Sequence, residues 1–215
     1  MAEKTIRIAL IGAGMFGGDV HARAYADVQK HGVAGTLGRV GLDRWTRDFA
    51  GVDFDLVAVA TRSEASAKRA QAQFKEWTGH EPKPYFGDAP WEDVIRDYPD
   101  LDVMAVATPD DLHTPVVLAA LNAGVHVITE KPMCLSIDEA DQIVELAREK
   151  GLIVAVDMHK RYDPDHLRIR DDIAAQIGDP IYGQAYLEEP LEVSTSTFKW
   201  VEKSDPFSYV GPHWT

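Results

Sequence analysis

Ile6-Arg7-Ile8-Ala9-Leu10-Ile11-Gly12-Ala13-Gly14-Met15-Phe16-Gly17 is the stretch that decides how this chain folds. Its first half is an apolar run of strand length, and its second half spells G-x-G-x-x-G. A helix is predicted next, from Asp19 to Gln29, so the glycines stand between a strand and a helix. In that setting the glycines permit a tight turn and let the backbone approach a pyrophosphate. The helix amino terminus adds unpaired N–H groups and a favourable dipole. Gly12, Gly14, Met15, Phe16 and Gly17 are therefore candidate cofactor-binding residues.

Downstream, strand and helix alternate. Strands are predicted at Leu56–Ala60, Pro84–Phe86, Val103–Ala107, Val125–Ile128 and Leu152–Val156. Helices are predicted over 64–77, from Trp91 to Tyr98, from Asp110 or Asp111 (one of them the cap) to Ala123, and from Ile137 to a stop at Gly151. The last opens on a capping box, Ser136-Ile137-Asp138-Glu139, with Ile137, Ala140, Ile143, Val144 and Ala147 facing inward. This alternation predicts an α/β fold, a doubly wound parallel Rossmann sheet with right-handed crossovers. Residues 1–158 would form the dinucleotide-binding domain. Residues 159–215, with a helix at Asp163–Ile177 and a strand at Ile181–Leu187, would begin an α+β substrate domain. Residues 31–54, punctuated by five glycines, read as an inserted surface loop that carries no chemistry.

Two strand ends carry candidate chemistry. After the second strand the chain reads Thr61-Arg62-Ser63, where NAD-preferring folds usually place an acid for the ribose hydroxyls. An arginine with two hydroxyls suits a 2′-phosphate better, so NADP is slightly favoured over NAD. Ser63 also fits as a helix N-cap, and both readings can hold. After Val125-His126-Val127-Ile128 comes Thr129-Glu130-Lys131-Pro132-Met133. A charged pair at a buried strand end must face a cleft or find partners. Lys131 is a candidate proton donor or hydroxyl anchor, or one half of a strand-end salt bridge with Glu130. His113, in the first turn of its helix, either caps the helix or contacts a ligand.

Composition bounds the rest. The chain has 215 residues, 45% hydrophobic and 27% charged, as in a globular protein. A net charge of −13 argues against nucleic acid or an anionic membrane as partner. No run is long enough to span a membrane, and one cysteine, Cys134, fits a reducing cytoplasm. No metal site is expected.

Taken together, Gly12–Gly17, Ala107-Thr108-Pro109 with His113, Thr129-Glu130-Lys131-Pro132 and Lys160-Arg161-Tyr162-Asp163-Pro164 resemble the Gfo/Idh/MocA family, the relatives of glucose-fructose oxidoreductase and inositol dehydrogenase. The resemblance implies NAD(P)-dependent hydride transfer to or from a secondary alcohol or ketone of a sugar, polyol or similar small molecule. It implies that Glu130 contacts the nicotinamide side, that Lys131 binds the reacting oxygen, and that Thr108, Pro109 and His113 line the nicotinamide end. It also implies a cis Lys131–Pro132 peptide and Arg161 at the entrance to the substrate domain. His213 matches a catalytic histidine of many members, although Tyr209 stands where they carry aspartate. The chain stops two residues after His213, so a homo-oligomer, or completion by a further C-terminal segment, is expected. A non-catalytic dinucleotide-binding module is the rival reading.

Overall fold

The computed structural model describes residues 4–42, 44, 46, 49, 51–179, 181–184, 186, 188, 190, 192 and 203–204. Six strands form one parallel sheet in the order β3-β2-β1-β4-β5-β6. They are β1 (Lys4–Ile11), β2 (Val52–Thr61), β3 (Lys83–Phe86), β4 (Val103–Val106), β5 (His126–Glu130) and β6 (Val154–Asp157). The order reverses at β1, with β2 on one side and β4 on the other, which opens a crevice at the carboxyl ends of those strands.

Alternation along β1 sorts side chains to two cores. Ala9 and Ile11 join one cluster with Met104, Val117 and Ile143, whereas Ile8 and Leu10 join Phe74 and Leu56 on the other face. Helices α2 (Glu64–Thr78), α3 (Pro90–Asp97), α4 (His113–Asn122) and α5 (Ile137–Lys150) fall close to their predicted positions. Ser63 caps α2, accepting from the Ser66 N–H at 3.3 Å, and Gly79 ends it in the left-handed region at φ +78°. The capping box of α5 is formed on both sides. Ser136→Ala should lower stability by about 1 kcal/mol, read as a shifted denaturant midpoint with unchanged slope.

Several expectations are corrected. The chain leaves the glycines through a wide π-type turn, Met15–His21, and the helix after it, α1, runs from Ala22 to Arg39. Within the stretch expected to be an inserted loop, residues 31–39 therefore belong to α1 and 52–54 to β2. Gly32 (φ 71°, ψ 163°) breaks the helix locally, but helical backbone resumes and Val33 is buried, while β2 already begins at Val52. Neither Asp110 nor Asp111 caps a helix: a short 3₁₀ turn, Asp110–Leu112, leads into α4 without a side-chain cap. On α5, Ile143 and Ala147 are buried, but Ile137 is 77% and Val144 45% exposed. Ile143 and Ala147, four residues apart, mark the covered stripe, and Ile137 and Val144, seven apart, lie together on another stripe that stays exposed. The expected strand at 181–187 is not formed among its described residues, and Ile181, Tyr182 and Tyr186 are exposed. A lone strand with no partner edge has nothing to bond to. The helix expected at 163–177 is present as α6 (Pro164–Arg168), a π-type turn and α7 (Ala174–Ile177), capped by Asp163.

Candidate functional site

The crevice at the switch point is a cleft of ≈ 730 Å³, within the range of about 300–1,000 Å³ usual for ligand sites. Gly12, Gly14, Met15 and Phe16 line one wall, Thr61 and Arg62 another, and Thr108, Pro109, Glu130 and Lys131 the end opposite. The sequence therefore brings together residues from four strand ends. His113 also borders the cleft, but its ring is fully buried. Its Nδ1 lies 2.6 Å from the Pro132 carbonyl and its Nε2 2.9 Å from the Thr108 carbonyl, so it ties the loop after β4 to the loop after β5.

The glycines divide their work. A Cβ on Gly12, at φ +95°, would stand 2.3 Å from the Ala107 carbonyl oxygen, and one on Gly17 would stand 2.1 Å from the Gly12 oxygen. Both are close backbone approaches between β1, β4 and the turn. Gly14 has nothing within 4 Å of its missing Cβ, so its backbone faces open cleft. At the other end, the Thr108 hydroxyl is buried and has no hydrogen-bond partner among the described residues. An open glycine turn and an unsatisfied hydroxyl in one cleft are what a bound dinucleotide would use, so the residues fit that cofactor.

Glu130 and Lys131 follow from β5 directly. Both are buried, at 6% and 8% exposure, and the Lys131–Pro132 peptide is cis, as the resemblance implied. The Lys131 N–H donates to Glu130 Oε2 at 3.2 Å. Thr61 turns its hydroxyl to the Ser63 carbonyl at 2.8 Å, and Ser63 is occupied as the α2 cap. Arg161 sits on an exposed 3₁₀ turn, His159–Tyr162, and does not line the cleft. Tyr209 and His213 lie outside the described residues, as do Trp200, Phe207 and Trp214.

Other residues at the cleft escaped sequence reasoning. Ser66 and Arg69, on the first turns of α2, face the same mouth as Arg62. Lys203 and Ser204 reach Asp111 and Asp110: Lys203 Nζ is 3.5 Å from Asp111 Oδ2, and the Ser204 hydroxyl donates to Asp110. Burial, more than any neighbour, raises the Asp110 carboxyl above its ordinary range. Behind Glu130 lie His21, from the π-type turn, and Asp157, the last residue of β6. His21 Nε2 is 2.8 Å from Glu130 Oε1 and 3.6 Å from Asp157 Oδ2, and its Nδ1 is 3.3 Å from the Tyr25 hydroxyl. The ligand-type atoms of His21, Glu130 and Asp157 lie within 4.8 Å of one another, but the 2.8 Å contact is a hydrogen bond and accounts for the approach. Asp157 could have been suspected by the rule that singled out Glu130, an acid ending a buried strand.

Glycine turn, reversed strand order and cleft together define a dinucleotide-binding Rossmann domain. The profile of one family, the oxidoreductase family with an NAD-binding Rossmann fold, matches residues 6–158, and the chain belongs to it, the Gfo/Idh/MocA family. It is 38% identical over 96 residues to a 1,5-anhydro-D-fructose reductase of Ensifer adhaerens, covering 44% of this chain and 28% of that protein. It is 28% identical over 186 residues to a D-glucoside 3-dehydrogenase of Escherichia coli, covering 85% and 43%. A solved NAD-binding oxidoreductase from Klebsiella pneumoniae superposes with a TM-score of 0.61 at 28% identity, covering 80% of this chain and 39% of that one. The chain thus spans less than half the length of each of these relatives. Among the described residues no helix is long and apolar enough to cross a membrane.

Proposed function

We propose that this chain supplies the cofactor half, and the first part of the substrate half, of an NAD(P)-dependent oxidoreductase. The reaction is hydride transfer between the nicotinamide and a secondary alcohol or ketone of a sugar, polyol or related small molecule. One observation carries it: a buried lysine at a strand end, Lys131, lines the same cleft as the open glycine turn. The cofactor, when bound, supplies the redox chemistry. The protein does the rest. Backbone N–H groups of the turn at Gly14–Phe16 take the pyrophosphate, and the unsatisfied Thr108 hydroxyl takes a polar group at the nicotinamide end, with Pro109 beside it and His113 holding the loop. Lys131 binds the substrate oxygen and assists its proton, with Glu130 fixing its backbone. Residues 1–158 form the cofactor domain, and residues 159–215 open the substrate domain. Arg161 stands at its entrance, His213 joins Lys131 in the acid–base set, and Tyr209 is a substrate contact. Exposed Tyr162, Ile169 and Ile177 support association with a second copy or a further segment of chain.

The cofactor preferred is NADP. Arg62 and Arg69 face one mouth of the cleft, and β2 ends without an acid. A charge-assisted contact to the 2′-phosphate should favour NADP by about 1.5 kcal/mol, roughly tenfold. Competing calorimetric titrations test this; equal binding, or a preference for NAD, removes Arg62 from the choice. The activity itself is tested by thermal shift with both cofactors, then a sugar and polyol panel. Cofactor binding without turnover across the panel selects the non-catalytic module instead.

A further inference from the structure

We propose that His21 is a positioning residue for Lys131, acting through Glu130, and that its ring is what allows two carboxylates to share the back of the cleft. This rests on the functional reading above only for its kinetic consequence.

The register of β5 and β6 sets Glu130 directly opposite Asp157. Like charges at such a pair repel, and here both are withdrawn from water, Glu130 almost completely. The Asp157 carboxyl is held above its ordinary range, first by burial and then by the Glu130 charge, while His21 and His159 draw it down. His21 Nε2 points between the two acids, nearer to Glu130 at 2.8 Å than to Asp157 at 3.6 Å. On the other side of the ring stands the Tyr25 hydroxyl, raised well above an ordinary phenol by burial and then by Asp157 and Glu130. Tyr25 therefore stays protonated and can donate to Nδ1. Whether Nδ1 accepts in the neutral ring or carries a proton in the imidazolium, Nε2–H is the donor to Glu130.

Glu130 thus has both oxygens engaged: Oε1 on His21, Oε2 on the N–H of Lys131. An unbroken set of contacts runs from Tyr25 on α1, through the ring and the carboxylate, to the peptide from which the Lys131 side chain departs. A core histidine that merely fills space would not need to aim Nε2 at the residue that holds the lysine backbone.

The test compares His21→Leu, which keeps bulk and loses the donor, with His21→Gln, whose amide can donate from near the Nε2 position. In the leucine variant, hydrogen exchange at the Lys131 amide should quicken, up to about tenfold for one lost hydrogen bond. Turnover should fall between about 10- and 100-fold, as for small misplacements of a reacting group. Substrate KM and cofactor affinity should change little, and glutamine should restore most of the loss.

The pH dependence has a defined sign. A carboxyl whose value is raised by folding binds its proton more tightly in the folded state. Its contribution is fully present below about pH 4, the ordinary aspartate value, and is lost as pH rises through the raised value. Removing His21 raises Asp157 further, so melting temperatures of His21→Leu should keep falling to higher pH than those of the wild type. Asp157→Asn should flatten that fall, and serves if the leucine variant does not fold. Exchange at Lys131 unchanged in His21→Leu, or a melting profile unaltered by Asp157→Asn, overturns the proposal. Absence of turnover in the wild type counts against the functional reading alone, because exchange and melting decide this one without it.

Discussion

Lys131→Ala is expected to lower turnover by about 10²-fold or more, the scale of a lost general acid–base group, while dinucleotide affinity stays within a few-fold of the wild type. The lysine side chain lies in the cleft at the end of β5, and its replacement leaves the glycine turn untouched. Its backbone contact with Glu130 involves the N–H, which alanine retains. Both kcat and kcat/KM should therefore fall together, the pattern of an interaction made in the transition state. Steady-state kinetics beside a cofactor titration separate this from a folding defect. A variant with ordinary turnover would take Lys131 out of the chemistry.

The second large effect is expected at Gly12. Alanine there must adopt φ near +95° with its Cβ 2.3 Å from the Ala107 carbonyl oxygen and 2.9 Å from the Thr108 nitrogen. Neither neighbour is a flexible side-chain tip; both are backbone of the β4 exit. Backbone strain and overpacking together should cost about 3 kcal/mol or more, with cofactor binding lost because the cleft wall moves. Gly14→Ala makes the contrast, since no atom lies within 4 Å of its added methyl. That variant should melt like the wild type yet bind dinucleotide weakly, because the methyl projects where the pyrophosphate approaches. If both variants bind equally well, the turn is not a cofactor site.

Fold and cleft were legible in the sequence wherever the signal was local. Leu10-Ile11-Gly12 and Val127-Ile128-Thr129-Glu130 announce a strand and its end within a few residues, and Ser136 with Glu139 announces the start of α5. Glycine spacing misled where it stood for a break that tertiary packing bridges: Gly35 and Gly38 lie inside α1, and only Gly32 departs from helical backbone. Periodicity placed Ile137 and Val144 on the inner face of α5 without registering how narrow the buried stripe of that helix is. His21 was invisible for a different reason. It meets Glu130 109 residues away, and only the stacking of β5 beside β6 makes that meeting meaningful. Arg69 joins Arg62 through two turns of helix, a proximity the strand-end pattern does not contain.

The reversal of strand order also bears on how the molecule is assembled. β1 finds β2 first in sequence, but its other edge waits for β4, and the two are clasped where Arg7 N–H meets Asp102, 95 residues along the chain. The Ala107 N–H then bonds the Ile11 carbonyl at 2.7 Å, beneath the glycine turn. Closing so long a loop is entropically slow, and contacts of this separation set the pace of folding. A growing polypeptide therefore cannot shape its glycine turn from its first forty residues alone; the turn takes its final form only after residue 107 has been made. Dinucleotide added during refolding should accelerate no early phase and stabilise only the product of that late closure.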